Sequence, residues 1–180
     1  MNIEKELIEG CKKGNRQSFE SLYKQYAGRL LAIAMRYSFT TFEAEDILQE
    51  AFIKIFNSIK SYEYKGSFEG WLKRIVVTTA INHYHKDKVK QSQTDLYYTE
   101  EESDDVVDII SKMSADELLD VIQTLPDGYR MIFNMYVIEG YTHKEISELL
   151  SISEGTSKSQ LAKGRGLLKS KLLQKGIITL

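Results

Sequence analysis

An all-α chain of two small helical domains joined by a flexible acidic linker is the fold this sequence predicts, and three observations predict it. Apolar residues recur at the helical spacing of about 3.6 along both ends, and no alternating run of useful strand length appears. A single proline, Pro126, interrupts 180 residues. The formal net charge of −2 hides a sharp division along the chain. Residues 1–90 carry 15 basic and 11 acidic side chains, residues 91–120 carry 1 and 10, and residues 121–180 carry 8 and 5.

In the first domain, placed at 1–90, one stripe runs through Phe19, Leu22, Tyr23, Tyr26, Leu30, Ile33, Ala34 and Tyr37. The next is Ile47, Leu48, Ala51, Phe52, Ile55 and Ile59, and the third is Phe68, Trp71, Leu72, Ile75, Val76 and Thr79. A bundle this small buries a modest fraction of its surface, so rings that bury about 150–250 Å² each matter. Phe19, Tyr23, Phe52, Phe56 and Trp71 are expected to form one stabilising cluster.

The segment 91–113 is rich in Asp and Glu and lacks an apolar stripe, so it reads as an extended linker that repels itself. The second domain, 114–180, opens on Ser114-Ala115-Asp116-Glu117, a capping-box spacing in which hydroxyl and carboxylate each satisfy one backbone N–H. Leu118, Leu119 and Ile122 lead to Pro126, and Tyr129, Ile132, Phe133 and Tyr136 precede Gly140. Thr142-x-x-Glu145 repeats the capping box before the apolar edge Ile146, Leu149, Leu150, and Ser153 can cap a further helix from Glu154. Two capped helices with a tight turn between them have the layout of a helix-turn-helix DNA reader. Gly164 and Gly166 cost about 1 kcal/mol each relative to alanine in a helix, so fraying or bending is expected after Lys163.

Composition excludes several function classes. No stretch approaches the roughly 18 apolar residues of a bilayer span, and the N-terminus has no signal-peptide core, so a cytoplasmic protein is expected. Cys11 is alone, which suits a reducing compartment. His83-x-His85 and Cys11 supply too few ligands for a zinc site, and glycine-rich phosphate loops are absent. No metal, cofactor, small-molecule substrate or enzymatic activity is expected.

Three polar groupings remain. Glu43, Asp46, Gln49, Glu50 and Asn57 lie opposite the apolar stripe of their helix, where periodicity alone favours a solvated acidic face. Asp46 and Glu50 are like-charged i, i+4 neighbours whose repulsion a basic partner would relieve. Arg74, Thr78, Asn82 and Lys86 share one face of the third helix, after a loop carrying Tyr62, Tyr64, Lys65 and Gly66. Rings beside cations suit unpaired bases, though an ordinary surface loop explains the loop equally. Glu154, Thr156, Ser157, Lys158 and Gln160 occupy the first two turns of the last helix, where base edges are met in a major groove, and Lys163, Arg165, Lys169 and Lys171 suit phosphates.

Taken in order, these motifs resemble a known family. Asp46-Ile47-Leu48-Gln49-Glu50-Ala51-Phe52, Phe68-Glu69-Gly70-Trp71-Leu72-Lys73-Arg74-Ile75, Leu125-Pro126-x-x-Tyr129-Arg130, Glu139-Gly140-Tyr141-Thr142 and Ser153-Glu154-Gly155-Thr156 are similar to extracytoplasmic-function sigma factors of bacterial RNA polymerase. The resemblance implies a sigma region-2-type bundle at 1–90 and a region-4-type helix-turn-helix at 114–180. It implies that Asp46, Gln49 and Glu50 meet the clamp coiled coil of the polymerase largest subunit, reversing the solvated reading of that face. It further implies that Tyr62, Tyr64, Lys65, Arg74, Thr78, Asn82 and Lys86 meet a melted −10 element. Thr142, Glu154, Thr156, Ser157, Lys158, Gln160, Lys163 and Arg165 would meet a duplex −35 element. Core polymerase and promoter DNA are the implied partners, and an anti-sigma factor is a further one that many relatives have. The rival expectations are a free-standing helix-turn-helix regulator and an interaction protein that no longer binds DNA.

Overall fold

The structure, a computed structural model, describes residues 3–90 and 113–177. Apart from Met113, the expected acidic linker lies outside the described residues. Among those described, every regular element is helical, and contacts divide the chain into Met1–His83 and Tyr84–Leu180.

In the first unit, α1 (Ile3–Lys12) sinks Ile8 and Cys11 into the core while its polar side chains stay outside. Asn15 ends the loop that follows and caps α2 (Arg16–Tyr37), its side chain accepting from the Ser18 N–H. α3 (Thr41–Ser58) starts on a capping box between Thr40 and Glu43 and passes into a short 3-10 turn, Ile59–Ser61. After the loop at 62–67, α4 runs Phe68–Lys90. Most of the apolar stripes face inward as their spacing requires: Leu22, Leu30 and Ala34 of α2 are fully buried, as are Ala44, Ala51 and Ile55 of α3 and Leu72 and Val76 of α4, whereas Tyr23, expected in the first stripe, is 46% exposed at its edge.

The rings form two groups rather than one. Phe19, Phe52, Phe56 and Tyr23 make the first, with centroids 4.7 Å apart for Phe19–Phe56 and for Tyr23–Phe52. Trp71, expected among them, belongs to the second: it lies 5.3 Å from Tyr62 and 5.7 Å from Phe68, and Phe68 also meets Tyr62 and Tyr26. Trp71 stands in the first turn of α4, so the loop before that helix reaches it and the Phe19 group does not.

The second unit holds α5 (Ala115–Ile122), α6 (Asp127–Phe133), a wide π-helical turn at Asn134–Ile138, α7 (His143–Leu150) and α8 (Glu154–Gln174). Both expected capping boxes form, Ser114 with Glu117 and Thr142 with Glu145, and Ser153 caps α8 by accepting from the Thr156 N–H at 2.9 Å. Ile122, Leu125, Ile132, Phe133, Ile146, Leu161, Leu168 and Leu172 supply a largely aliphatic core. Arg130 is buried at 2% exposure and donates to Asp127 at 2.6 Å, which compensates a charge that burial alone would penalise.

α8 does not break at its glycines. Gly164 is buried, and a Cβ there would stand 3.4 Å from the Tyr129 side chain, so the missing side chain lets α6 and α8 approach closely. Gly166 has open space around it and the helix carries through to Gln174. Tertiary packing outweighs the cost in propensity that predicted fraying.

Candidate functional site

Three polar surfaces emerge, and each is positioned by the local rules above. On α3, Asp46 and Gln49 are exposed. Glu50 is half-buried: its Oε1 pairs with Lys54 at 2.7 Å and its Oε2 meets His83 Nε2 at 2.8 Å. Lys54 Nζ also donates to Thr79 Oγ1 at 3.2 Å, and Thr79 donates to the Ile75 carbonyl. This ladder joins α3 to α4, and the Lys54 ammonium relieves the Asp46–Glu50 repulsion from within the unit.

Two side chains of that face escaped the sequence reading. Phe42 and Ile53 are 71% and 61% exposed, and at helical spacing they flank Asp46 and Gln49. Positions 42, 46, 49 and 53 therefore form one outward stripe with an apolar residue at each end. A helical wheel drawn on the outer face of α3 shows it; both residues lie off the apolar stripe and outside the polar set.

The second surface combines the loop before α4 with the outer face of that helix. Arg74, Thr78, Asn82 and Lys86 are all exposed, one turn apart, as the i, i+4 spacing requires. Thr78 donates to the Arg74 carbonyl at 2.8 Å, which leaves its hydroxyl oxygen on the same face. Lys65 is exposed and pairs with Glu63 at 2.6 Å, a surface pair of little energetic weight. Tyr64 remains 42% exposed.

Tyr62 departs from expectation. It is 5% exposed, its ring packs on Phe68 and Trp71, and its hydroxyl donates to the Gly66 carbonyl at 3.1 Å. It is a strut of the loop, not a stacking surface. Two tyrosines a residue apart look alike in sequence; only packing separates the inward ring from the outward one.

The third surface is the helix-turn-helix. α7 ends on Ser151, a serine with φ of 54° in the left-handed region, and the Ile152 N–H returns to the Ser147 carbonyl at 3.1 Å. That turn swings the chain into α8. Glu154 and Lys158 are exposed there, and Thr142 is exposed at the start of α7. Thr156 is half-buried, within 2.9 Å of the Ser153 hydroxyl. Lys163 and Arg165 are half-buried further along α8.

Ser157 and Gln160 are placed otherwise than expected. Ser157 has no exposure and its hydroxyl meets His143 Nδ1 at 2.9 Å, so it points at α7 and not outward. Gln160 is half-buried, and its Oε1 lies 3.2 Å from where a Cβ on Gly128 would stand. The phase of α8 is set by the inward positions 157, 161, 164, 168 and 172, and residue 157 heads that row. His143, absent from the sequence reading, holds the junction: its ring stacks on Tyr136 at 4.4 Å while its nitrogen meets Ser157. Burial, with Lys158 adding to it, holds this imidazole below its ordinary value of 6.5.

Among the described residues, no three His, Cys, Asp or Glu side chains group closely enough to hold a metal ion. Nor is any described helix long and apolar enough to cross a membrane.

Comparison with known proteins finds two matched regions in the same order along the chain. Sigma-70 region 2 matches residues 22–89, and Sigma-70 region 4 matches residues 115–168. The ECF RNA polymerase sigma-E factor of Haemophilus influenzae is 27% identical over 177 residues, covering 92% of this chain and 93% of the relative. The ECF RNA polymerase sigma factor SigW of Bacillus subtilis is 28% identical over 184 residues, covering 93% and 96%. Among solved structures, the sigma factor RpoE from Bartonella quintana, crystallised with the anti-sigma factor NepR, has a TM-score of 0.51 at 17% identity, over 88% of this chain and 98% of that one, a likeness of fold. With both regions matched in sequence and relatives spanning nearly the full length, the chain belongs to the extracytoplasmic-function sigma factors of the sigma-70 family.

Proposed function

We propose that this chain works in the cytoplasm as a promoter-directing subunit of bacterial RNA polymerase, binding the core enzyme, addressing it to a two-part promoter and stabilising the opened strand. The observation that supports this best is the presence, in one chain and in family order, of the two matched regions, each with an outward polar surface of the right chemistry. Asp46 and Gln49, flanked by Phe42 and Ile53, form the polymerase-facing stripe, with Glu50 bracing it from behind. Arg74, Thr78, Asn82 and Lys86, with Tyr64 and Lys65 beside them, face the unpaired −10 strand. There cations track phosphates and a ring supplies a stacking surface worth about 1–3 kcal/mol per base. Glu154, Thr156 and Lys158 face base edges of the −35 duplex, and Thr142, Lys163 and Arg165 face its backbone.

Opening by this route is capture of an extruded base, whose unstacking costs on the order of a few kcal/mol, and it requires no nucleotide hydrolysis by the chain. A chain with few phosphate contacts gains little affinity for DNA alone, since each contact changes the log–log salt slope by only about 0.9. Polymerase then supplies most of the affinity and the chain supplies the address.

Co-purification with core polymerase tests the stripe. Asp46→Lys is expected to lower retention by more than about tenfold, as a reversed charge at an interface does, with the helical circular-dichroism signal unchanged. Full retention by Asp46→Lys would remove α3 from the polymerase contact. A free-standing regulator would bind duplex DNA as well with this substitution as without it.

A further inference from the structure

The first helix lies before residue 22, where the region-2 match begins, yet its polar side chains are not idle. Ile8 and Cys11 seat it in the core. From that seat Glu9 Oε1 accepts a hydrogen bond from the Tyr64 hydroxyl at 2.6 Å, and the Lys12 ammonium sits over the Tyr64 ring, 4.4 Å from its centroid. Lys12 and Glu9 pair in turn at 3.6 Å. One turn earlier, Glu4 accepts from Tyr26, whose ring meets Phe68 at the start of α4.

What these contacts hold is an unusual piece of backbone. Tyr64 has a φ of 60°, a left-handed conformation that a bulky side chain rarely adopts and that persists only where the surroundings impose it. Gly66, two residues on, has a φ of 81° and needs no such help. Tyr62 closes the loop from beneath by donating to the Gly66 carbonyl. The Tyr64 ring is thus fixed at the hydroxyl by Glu9, met by the Lys12 ammonium and by the Tyr62 ring with centroids 5.1 Å apart, and still 42% exposed. Hydrogen bonding by Tyr64 holds the Glu9 carboxyl below its usual range, so this acceptor is charged at neutral pH.

We propose that α1 is a strap that presets the loop at 62–67 for an extruded −10 base, with Glu9 and Lys12 as positioning residues and the exposed part of the Tyr64 ring as the stacking surface. This rests on the promoter reading and adds to it a part of the chain before the region-2 match. Ordering the loop before DNA arrives removes an entropic cost from capture, since each residue otherwise gives up backbone freedom on being fixed. The Lys12 cation places a positive charge beside the ring, where the phosphate adjoining a stacked base would pass.

The test uses the full chain in two arms. Amide hydrogen exchange over residues 62–67 is compared for the parent chain, Glu9→Ala, Glu9→Gln and Tyr64→Phe. The four proteins, each bound to core polymerase, are then offered fork-junction DNA with a randomised single-stranded −10 segment. Glu9→Ala and Tyr64→Phe are expected to speed loop exchange roughly threefold to tenfold, and to flatten the base preference by a similar factor, while exchange in α2 and α3 is unchanged. Glu9→Gln keeps an acceptor for the hydroxyl and should restore most of both. The double variant Glu9→Ala with Tyr64→Phe should be no worse than either single one. Unchanged loop exchange, or losses that simply add in the double variant, would overturn the strap. A parent chain with no base preference, together with the exchange effect intact, would overturn the promoter reading and the role in capture while the strap itself stood.

Discussion

The two units solve orientation by different means. In Met1–His83, polar side chains are largely spent on one another: Glu50 on Lys54 and His83, Lys54 on Thr79, Glu9 and Lys12 on Tyr64, and two groups of rings fill the spaces between. In Tyr84–Leu180, orientation comes from backbone caps at Ser114, Thr142 and Ser153 and from aliphatic packing, with His143–Ser157 as the polar tie between α7 and α8. The contrast suits what each would hold under the proposed function. A helix that enters a groove needs only to be aimed, which caps and a core achieve while its outer side chains stay variable. An unpaired strand has no groove to fit, so the protein must supply the shape, and a shaped loop needs cross-links.

Replacing a ring should show the first half of that contrast most strongly. Phe68→Ala removes a fully buried ring shared by Tyr26, Tyr62 and Trp71 and is expected to cost about 3–5 kcal/mol of the first unit's stability, read from denaturant unfolding or from exchange in α2–α4. A loss below about 1 kcal/mol would mean that the aliphatic stripes alone hold this unit.

Next in size is the tie in the second unit. Ser157→Ala removes the buried hydroxyl that partners the half-buried His143 ring, so a destabilisation of about 1 kcal/mol is expected, with promoter base preference unchanged. Lys158→Ala should do the reverse, weakening −35 binding with little effect on folding. Should Ser157→Ala alter which base is chosen, its hydroxyl would have to reach DNA, and the phase assigned to α8 would be wrong.

The smallest effect expected is a pH dependence. The folded His143 imidazole takes a proton less readily than the unfolded one, so the unfolded chain binds protons first on acidification. Stability of the second unit is therefore full above the ordinary value of 6.5 and declines as pH falls below it, until the folded imidazole also titrates. His143→Gln should flatten that slope in thermal melts between pH 5 and 7, at which ordinary histidines titrate; a slope that survives the substitution would place the titration elsewhere.

How much of this was legible depended on the range of the interaction. Thr142-x-x-Glu145, Ser114-x-x-Glu117 and the Ser153 cap are local signals, and each forms as its spacing requires. Thr40-x-x-Glu43 carries the same signal at the start of α3. The exposed face of α4 follows from i, i+4 spacing alone. What spacing could not supply was helix phase against a neighbour, which turned Ser157 inward and folded Gln160 over Gly128. Nor could it pair Glu9 with Tyr64, 55 residues apart, or tell the buried Tyr62 from the exposed Tyr64. Gly164 illustrates the same limit: read alone it weakens a helix, whereas beside Tyr129 it permits a close crossing.

In vitro transcription with purified core polymerase over a promoter library is the most direct test of the central claim, that one chain addresses the enzyme through two separately built surfaces. Adding this protein should make initiation depend on two sequence elements, with Asn82→Ala eroding preference at the −10 element and Lys158→Ala eroding it at the −35 element, each leaving the other intact. Initiation that is the same with and without the protein would contradict the account.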